Sequence, residues 1–313
     1  MAVLDAFSGI LTIFSVALLG YLLARGKYIP ADGAAILPRC ITNIALPPYL
    51  LRTVTTTFGR DQLVHLVYGA LLPLLSIILA FGIAFLLARL LGLAKGRRGV
   101  FCTAFATSNT MNIGLPINIA LFGEASLPYV LLYFFANIVF FWTVGNYAIA
   151  RDGEGPPPAL CSPDTVKRIC SPPLIGFCGG LALVLLDLRL PVFLDKAFQY
   201  IGGMSMGLIL IYLGFMLHDT MSRKYRMEKD ALAILAGRFI ISPLIIVLLA
   251  SCVDIPDMMR NVYIIQSSLP VMVNLLLLAG HYKASPGFAA MIVGISTFSS
   301  IFVIPVYMLL LSR

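Results

Sequence analysis

Two stretches of the sequence concentrate polar side chains and helix-breaking residues inside apolar surroundings. The first reads Thr-Ser-Asn-Thr-Met-Asn-Ile-Gly-Leu-Pro over residues 107–116, and the second reads Gln-Ser-Ser-Leu-Pro over residues 266–270, followed by Asn274. Each proline lacks the N–H that a continuous helix requires, and Gly114 adds backbone freedom to the first stretch. Carbonyls near Asn112 therefore lose their partners, which a membrane tolerates only where they are buried in protein or line a wet cavity.

Paired helix breaks of this kind predict a binding site for an anion. A helix that begins inside the membrane presents free N–H groups and a partial positive charge, which stabilise a carboxylate. Amide and hydroxyl side chains supply further hydrogen bonds. The predicted substrate-binding residues are Ser108, Asn109, Asn112, Pro116, Gln266, Ser267, Ser268, Pro270 and Asn274. The alternative is that the prolines only kink these segments and the amides bind neighbouring helices, but the pairing of the breaks favours a site.

Arg238 is a cation within a predicted membrane segment. It lies about 8 residues, or about 12 Å, beyond the Asp230 end of its segment, so its side chain is long enough to snorkel to the cytoplasmic interface. The alternative is that Arg238 is a countercharge for an anionic substrate. Asp and Glu residues all occur in loops or at helix ends, so sodium coupling through a buried carboxylate is difficult to place.

Other reactive side chains form no recognisable site in the sequence. Three histidines lie near helix ends and six cysteines are scattered without CxxC spacing, so we predict no metal site. Phosphate-binding and dinucleotide-binding loops are absent, and we predict no cofactor. An intramembrane enzyme with Ser108 or Ser268 as nucleophile would need a base within hydrogen-bond reach, and neither segment contains a histidine. A sensor that binds a ligand without moving it is a further alternative.

The composition requires a membrane around these segments. Apolar residues make up 60% of the 313 positions, charged residues make up 12%, and the mean hydropathy is +0.96. No soluble core buries so large an apolar fraction. The basic residues that give a net charge of +8 occur in short clusters between apolar runs, without interleaved aromatic residues. We therefore expect contact with lipid, and no nucleic-acid partner.

Ten apolar stretches are long enough to cross a membrane as helices. They cover residues 7–25, 34–53, 63–91, 99–122, 127–149, 172–188, 193–217, 230–251, 260–281 and 287–311. When the loops are assigned to alternate sides, fifteen of the 22 Lys and Arg residues fall on one side and six on the other. Because basic loops remain in the cytoplasm, this bias predicts that both termini are extracytoplasmic.

A polar connector rich in proline and glycine, residues 150–171, divides the ten segments into five and five. Five crossings invert the second half relative to the first, as in many secondary transporters. The predicted fold is therefore all-α and integral to the membrane, with two inverted five-helix repeats at residues 1–149 and 172–313. Laying residues 123–126 over residues 282–285 aligns the broken segment four with the broken segment nine.

The sequence resembles the auxin efflux carrier family, which includes plant auxin exporters and bacterial carriers of small dicarboxylates. The resemblance covers nearly the whole chain, and the motif of segment four is its most specific part. The matching residues are Gly20-Tyr21, Gly26 to Ile29, Asn43 to Pro48, Asn109-x-x-Asn112-x-Gly114-x-Pro116, Gly123, Ser171-Pro172-Pro173, Leu213-Gly214 and Pro270.

The resemblance implies a fold similar to that of bile-acid sodium symporters, in which broken helices four and nine cross. It implies a scaffold of segments 1, 2, 6 and 7, which often forms a homodimer, and a transport domain of segments 3–5 and 8–10 that moves like an elevator. Asn109, Asn112, Pro116 and Pro270 would frame a carboxylate site.

The function expected from the resemblance is efflux of small organic anions, such as malonate, malate or auxin-like acids, across a bacterial inner membrane. The short central connector also looks bacterial. Bile-acid symporters use acidic sodium ligands near their broken helices, and this sequence lacks them. A sodium-coupled symporter similar to the bile-acid carriers is the alternative, together with a receptor that does not transport.

Overall fold

The chain folds into helices throughout the part that the structure describes. The structure is a computed structural model, and it describes residues 2–29, 36–57, 69, 71–154, 170–222 and 229–311. Its twelve helices are α1 Ala2–Arg25, α2 residues 37–57, α3 Leu71–Leu90, α4 Arg98–Ala106, α5 Thr110–Phe122, α6 Glu124–Asp152, α7 Pro172–Leu185, α8 Val192–Ser222, α9 Lys229–Ala250, α10 Asp257–Ser267, α11 Asn274–His281 and α12 Pro286–Leu311. Residues 155–169 of the predicted connector lie outside the described residues.

Five of these helices are long and apolar enough to cross a membrane, namely α3, α6, α8, α9 and α12. Shorter apolar helical stretches occur at Ser15–Arg25, Thr110–Phe122 and Pro172–Leu185. Large apolar side chains such as Leu86 and Phe302 are exposed on the outer faces, at 59% and 63%. Such faces are stable against lipid and costly against water. The chain is therefore an integral membrane protein, while the count of ten crossings remains a prediction.

The two segments that carry polar residues beside a proline, segments four and nine, are each divided into a pair of short helices. Segment four consists of α4 and α5, and segment nine consists of α10 and α11. The outer ends of the two pairs follow one register, because 159 residues separate Arg98 from Asp257 at the starts of α4 and α10. The same offset separates Phe122 from His281 at the ends of α5 and α11. The alignment of residues 123–126 with residues 282–285 in the sequence has the same offset.

The helices pack in two groups. In the first group, α1 packs along α8, and α2 packs along both α7 and α8. In the second group, α3 packs against α4, α6 and α9, α9 packs against α10, and α11 packs against α12. The groups meet chiefly where α5 and α12 contact α1 and α8. The second group therefore contains both pairs of short helices.

Glycines permit the closest helix crossing in the first group. A Cβ atom added at Gly20 of α1 would overlap the backbone of Ile211 in α8. A Cβ atom at Gly214 of α8 would likewise overlap the carbonyl of Ala17 in α1. Small residues let helix backbones approach closely in a membrane, where packing is the main source of association. These two glycines therefore fix the approach of α1 to α8.

Candidate functional site

The connections inside the two divided segments lie directly against each other. Ser108, between α4 and α5, forms an antiparallel bridge with Val271, between α10 and α11. The N–H of Asn109 donates a hydrogen bond of 2.9 Å to the carbonyl of Pro270. Four helix ends consequently converge at one place. We call this place the crossing and define it as residues 105–112 and 265–274.

The helix break in segment four lies between Ala106 and Thr110, before the position that Pro116 suggests. Pro116 lies inside α5, just after a π-helical turn at Thr110–Gly114, and the helix continues through it. Gly114 has ordinary helical angles, φ −68° and ψ −42°, so the predicted use of its backbone freedom is wrong. A Cβ atom at Gly114 would instead collide with the Gln266 side chain. Gly114 therefore makes room for an amide from the other divided segment.

Asn137 of α6 holds the crossing in a way that the sequence did not reveal. Its Oδ1 accepts a hydrogen bond from the N–H of Ser108, and its Nδ2 donates one to the Ser108 carbonyl, both at 3.0 Å. On the other side, the Ser296 hydroxyl of α12 accepts a hydrogen bond from the Val271 N–H at 3.1 Å. These two side chains satisfy backbone groups that helix hydrogen bonds leave free. The signal in the sequence is a lone Asn in an apolar run, 29 residues from Ser108, and no spacing rule connects the two.

Two predicted site residues bring buried polar atoms to the crossing without partners. The Nδ2 of Asn109 and both amide atoms of Gln266 make no hydrogen bond among the described residues. Both residues are at most 4% exposed. An unsatisfied buried polar group costs roughly 1–3 kcal/mol, and native proteins contain few of them. These two amides therefore leave hydrogen-bonding capacity at the crossing that a polar ligand would satisfy.

Asn112 and Asn274 occupy the starts of the two half-helices that leave the crossing. Asn112 lies in the first turn of α5 and Asn274 is the first residue of α11, and both are partly exposed. The first N–H groups of a helix have no intrahelical acceptor, and they carry a partial positive charge. Both starts therefore favour a negatively charged group at the crossing.

The hydroxyls of Ser267 and Ser268 are engaged by the helix that carries them. Ser267 donates to the carbonyl of Ile264 at 2.8 Å, and Ser268 donates to that of Ile265 at 2.9 Å. Each hydroxyl has only one proton, so in this arrangement neither has a donor left for a carboxylate. Of the predicted substrate-binding residues, Ser267 and Ser268 therefore use their hydroxyl protons within their own helix.

Arg238 is completely buried beside the crossing, with 0% of its side chain exposed. Its Nε donates to the carbonyl of Leu269 at 3.1 Å, its Nη1 to that of Phe105 at 3.1 Å and its Nη2 to that of Ser267 at 2.6 Å. The guanidinium thus joins the carboxyl end of α4 to the carboxyl end of α10. The predicted snorkelling of Arg238 to the cytoplasmic interface is wrong.

Local helix geometry explains the inward position of Arg238. The residue lies in a π-helical turn at Gly237–Ile241, which changes the direction of its side chain relative to a regular α-helix. Gly237 also lets α9 approach the Phe105 ring closely, since a Cβ atom there would overlap the ring. Counting residues along a regular helix could not anticipate either effect.

The charge of Arg238 has no acidic partner among the described residues, whose ion pairs lie elsewhere. A guanidinium remains protonated in proteins. A buried charge is costly unless dipoles or a countercharge stabilise it, and here three carbonyl dipoles do so. The crossing therefore carries a net positive charge.

An apolar cavity adjoins the crossing where the two helix groups meet. It lies between α1, α5, α8 and α12, and Ser300 is its single polar side chain. The lining residues are Ala17, Ile113, Ile117, Leu213, Leu217, Ser300, Ile301, Ile304, Pro305 and Met308. The contact between the groups is therefore almost entirely apolar here. Within the described part of the chain, no cluster of three or more metal-ligating side chains occurs.

Membrane-embedded helices with two divided segments that meet at a buried polar crossing are features found in many secondary transporters. The chain matches the membrane transport protein family over residues 5–308. It belongs to that family, and the resemblance to the auxin efflux carrier family is confirmed.

The chain is similar, at low sequence identity, to proteins that are named as transporters. The chain is 24% identical to an uncharacterized transporter of Methanocaldococcus jannaschii, over 95% of this chain and 96% of the relative. It is 26% identical to an uncharacterized transporter of Methanothermobacter thermautotrophicus, over 83% of each chain. It is 23% identical to a Rhizobium meliloti protein named "Putative malonate transporter", over 87% of this chain and 85% of the relative. The alignments thus cover most of both chains in each case.

Proposed function

We propose that the protein is a secondary transporter that exports small organic anions, with its substrate site at the crossing. The observation that carries this proposal is the set of unpartnered buried amide atoms on Asn109 and Gln266, next to the buried charge of Arg238. Hydrogen-bond donors, helix amino ends and a cation all stabilise a carboxylate. The same groups would repel an organic cation.

Carboxylates such as malonate, malate and auxin-like acids are the proposed substrates. The relative whose name includes malonate supports beginning with that dicarboxylate. The apolar lining of the small cavity beside the crossing supports testing an acid with an apolar body as well. Comparing the two substrate types distinguishes a purely polar ligand from an amphipathic one.

The proposed mechanism is elevator-type alternating access. In this proposal, α1, α2, α7 and α8 form the scaffold, and the other helices form a transport domain that carries the crossing across the membrane. The separate packing of the two helix groups and the apolar contact between them support it. Apolar surfaces without hydrogen bonds can slide past each other at low cost. The ten inverted crossings, the extracytoplasmic termini, the bacterial inner membrane and a homodimer through the scaffold complete the proposal.

Charge movement in proteoliposomes tests the function directly. We would record currents on solid-supported membranes while adding malonate, malate or indole-3-acetate, with and without sodium or a pH gradient. We expect a saturable current for at least one carboxylate. Asn109→Ala and Asn112→Ala should each weaken its apparent affinity about 10-fold or more, the value of one hydrogen bond to a charged group.

The matched control is Asn146→Ala, which removes a buried amide from α6 at a distance in sequence from the crossing. It should leave the current unchanged. If both crossing variants transport normally, the proposed site is wrong. Saturable binding without current or counterflow would identify a receptor, and a strict sodium requirement would identify a sodium-coupled symporter.

A further inference from the structure

Three backbone carbonyls converge on the guanidinium of Arg238 from both divided segments. Phe105 contributes one from the carboxyl end of α4, and Ser267 and Leu269 contribute two from the carboxyl end of α10 and the connection after it. Helix carboxyl ends carry a partial negative charge, and two such ends meet here. In other broken-helix transporters, unwound carbonyls and half-helix carboxyl ends coordinate the coupling cation.

We propose that Arg238 is a built-in cation that occupies the position a coupling cation would need at this crossing. It neutralises the two helix ends permanently, so movement of the substrate requires no bound sodium or potassium. Arg238 is thus a positioning residue, which acts on the substrate through the two half-helices that it joins. The part concerning transport rests on the proposed function, whereas the replacement of a cation by Arg238 does not.

The packing around Arg238 supports permanent occupancy. The side chain is fully buried, and its closest contact, to the Ser267 carbonyl, is 2.6 Å long. Gly237 packs against the Phe105 ring and holds the start of the side chain against α4. A free cation would also lack carboxylate ligands, because the described residues form no acidic or His and Cys cluster. The carbonyls at this point are therefore committed to the guanidinium.

The planar shape of the guanidinium suits three carbonyls that come from different directions. Its five N–H donors form a fixed fork, whereas a lysine ammonium is a compact point charge on a flexible stem. Arg238→Lys should retain the positive charge but satisfy fewer of the three carbonyls. We therefore expect this variant to melt at a lower temperature while its flux remains independent of sodium.

Chemical rescue tests the cation position without any substrate. We would measure the melting temperature of purified Arg238→Ala in detergent, in N-methylglucamine chloride, while adding guanidinium chloride at 0 to about 20 mM, well below denaturing concentrations. We expect a saturable rise of about 3 °C, which corresponds to a ligand at roughly 10 times its Kd. Wild type should show no rise, because its site is occupied by Arg238.

The matched control is Arg260→Ala, which removes an arginine that is 46% exposed from the first turn of α10. This variant should not respond to guanidinium. Absence of a saturable rise in a folded Arg238→Ala protein would overturn the inference. If that variant cannot be purified, the wild-type protein decides the question, because flux that requires sodium in it would overturn the inference.

Transport separates this inference from the proposed function. Wild-type flux of malonate in sodium should lie within about 2-fold of the flux in N-methylglucamine, and guanidinium should restore flux to Arg238→Ala. A wild-type flux that requires sodium would refute the built-in cation and leave the carboxylate carrier intact. Guanidinium rescue of melting without flux of any carboxylate would support the built-in cation and refute the carrier.

Discussion

At the scale of single residues, the crossing depends on side chains that replace missing backbone partners. Asn137 pairs with both backbone groups of Ser108, as a neighbouring strand would, and Arg238 serves three carbonyls at once. Each contact satisfies a polar group that lipid could not satisfy. The shape of the site is therefore set by residues that need not touch the substrate.

Asn137→Ala tests this dependence. The substitution leaves the N–H and the carbonyl of Ser108 without their partners, so we expect a loss of stability of about 1–3 kcal/mol and a loss of most transport. Asn146→Ala, on the same helix, is the control and should have a much smaller effect. Melting temperatures and carboxylate uptake would be measured for both. Equal effects of the two variants would contradict the role assigned to Asn137.

Gly114→Ala should disturb the site by displacing the Gln266 side chain. The added methyl group collides with the Gln266 amide, and overpacking of this kind costs about 1–3 kcal/mol. We expect carboxylate affinity to fall at least 10-fold, as measured by thermal shift. Gly82→Ala in α3 adds a methyl group into open space and should bind normally. Normal binding by Gly114→Ala would show that Gln266 has no part in the site.

Asn109 and Gln266 stand out in the sequence because they are polar residues inside apolar runs. The structure buries amide atoms of both without hydrogen-bond partners, and their role as ligands stays a prediction. The position of Arg238 could not be predicted, because it depends on a π-helical turn and on the space beside Gly237. Asn137 lies far from Ser108 in sequence, so no spacing rule connects them.

At the scale of helices, the crossing of α1 and α8 leaves no room for a side chain at Gly20 or Gly214. Gly214→Val should lower the melting temperature strongly and reduce the yield of folded protein, because its side chain would overlap α1. Gly207→Val, two turns earlier on α8, is the control, since a Cβ atom there meets nothing within 4 Å. If both variants melt alike, the close crossing does not limit stability.

Helix interruption was readable from the sequence, but the boundaries were not. A proline beside a cluster of polar residues within an apolar run signals a break, and both runs of this kind are divided in the structure, whereas α12 continues through Pro305. Pro270 does lie in the connection after α10, whereas Pro116 lies within α5. The difference arises because the π-helical turn before Pro116 lets the helix continue past it. Proline therefore identified the segment and not the residue at which the helix ends.

At the scale of the whole molecule, the two helix groups and their apolar contact lead to a cross-linking prediction. In a variant without its native cysteines, a cysteine pair at Ile113 and Leu213 would join α5 to α8 across the cavity. Short bifunctional cross-linking should stop uptake, because the groups could no longer move relative to each other. Reduction of a cleavable linker should restore it.

The control for this experiment is a pair at Ala17 and Leu213, which line the same cavity but both belong to the first group. Cross-linking this pair should leave uptake nearly unchanged. Uptake that survives cross-linking of Ile113 to Leu213, with the link verified by electrophoresis, would exclude relative motion of the two groups as the transport step.

The burial of Arg238 without an acidic partner has an electrical consequence. If the second group moves across the bilayer as proposed, the crossing within it carries one positive charge when empty and one net negative charge when a dicarboxylate is bound. Moving one unit charge across the full membrane at 100 mV, inside negative, changes its free energy by about 2.3 kcal/mol. The voltage would draw the empty site toward the cytoplasm and drive the loaded site outward, so the resting potential alone could power export.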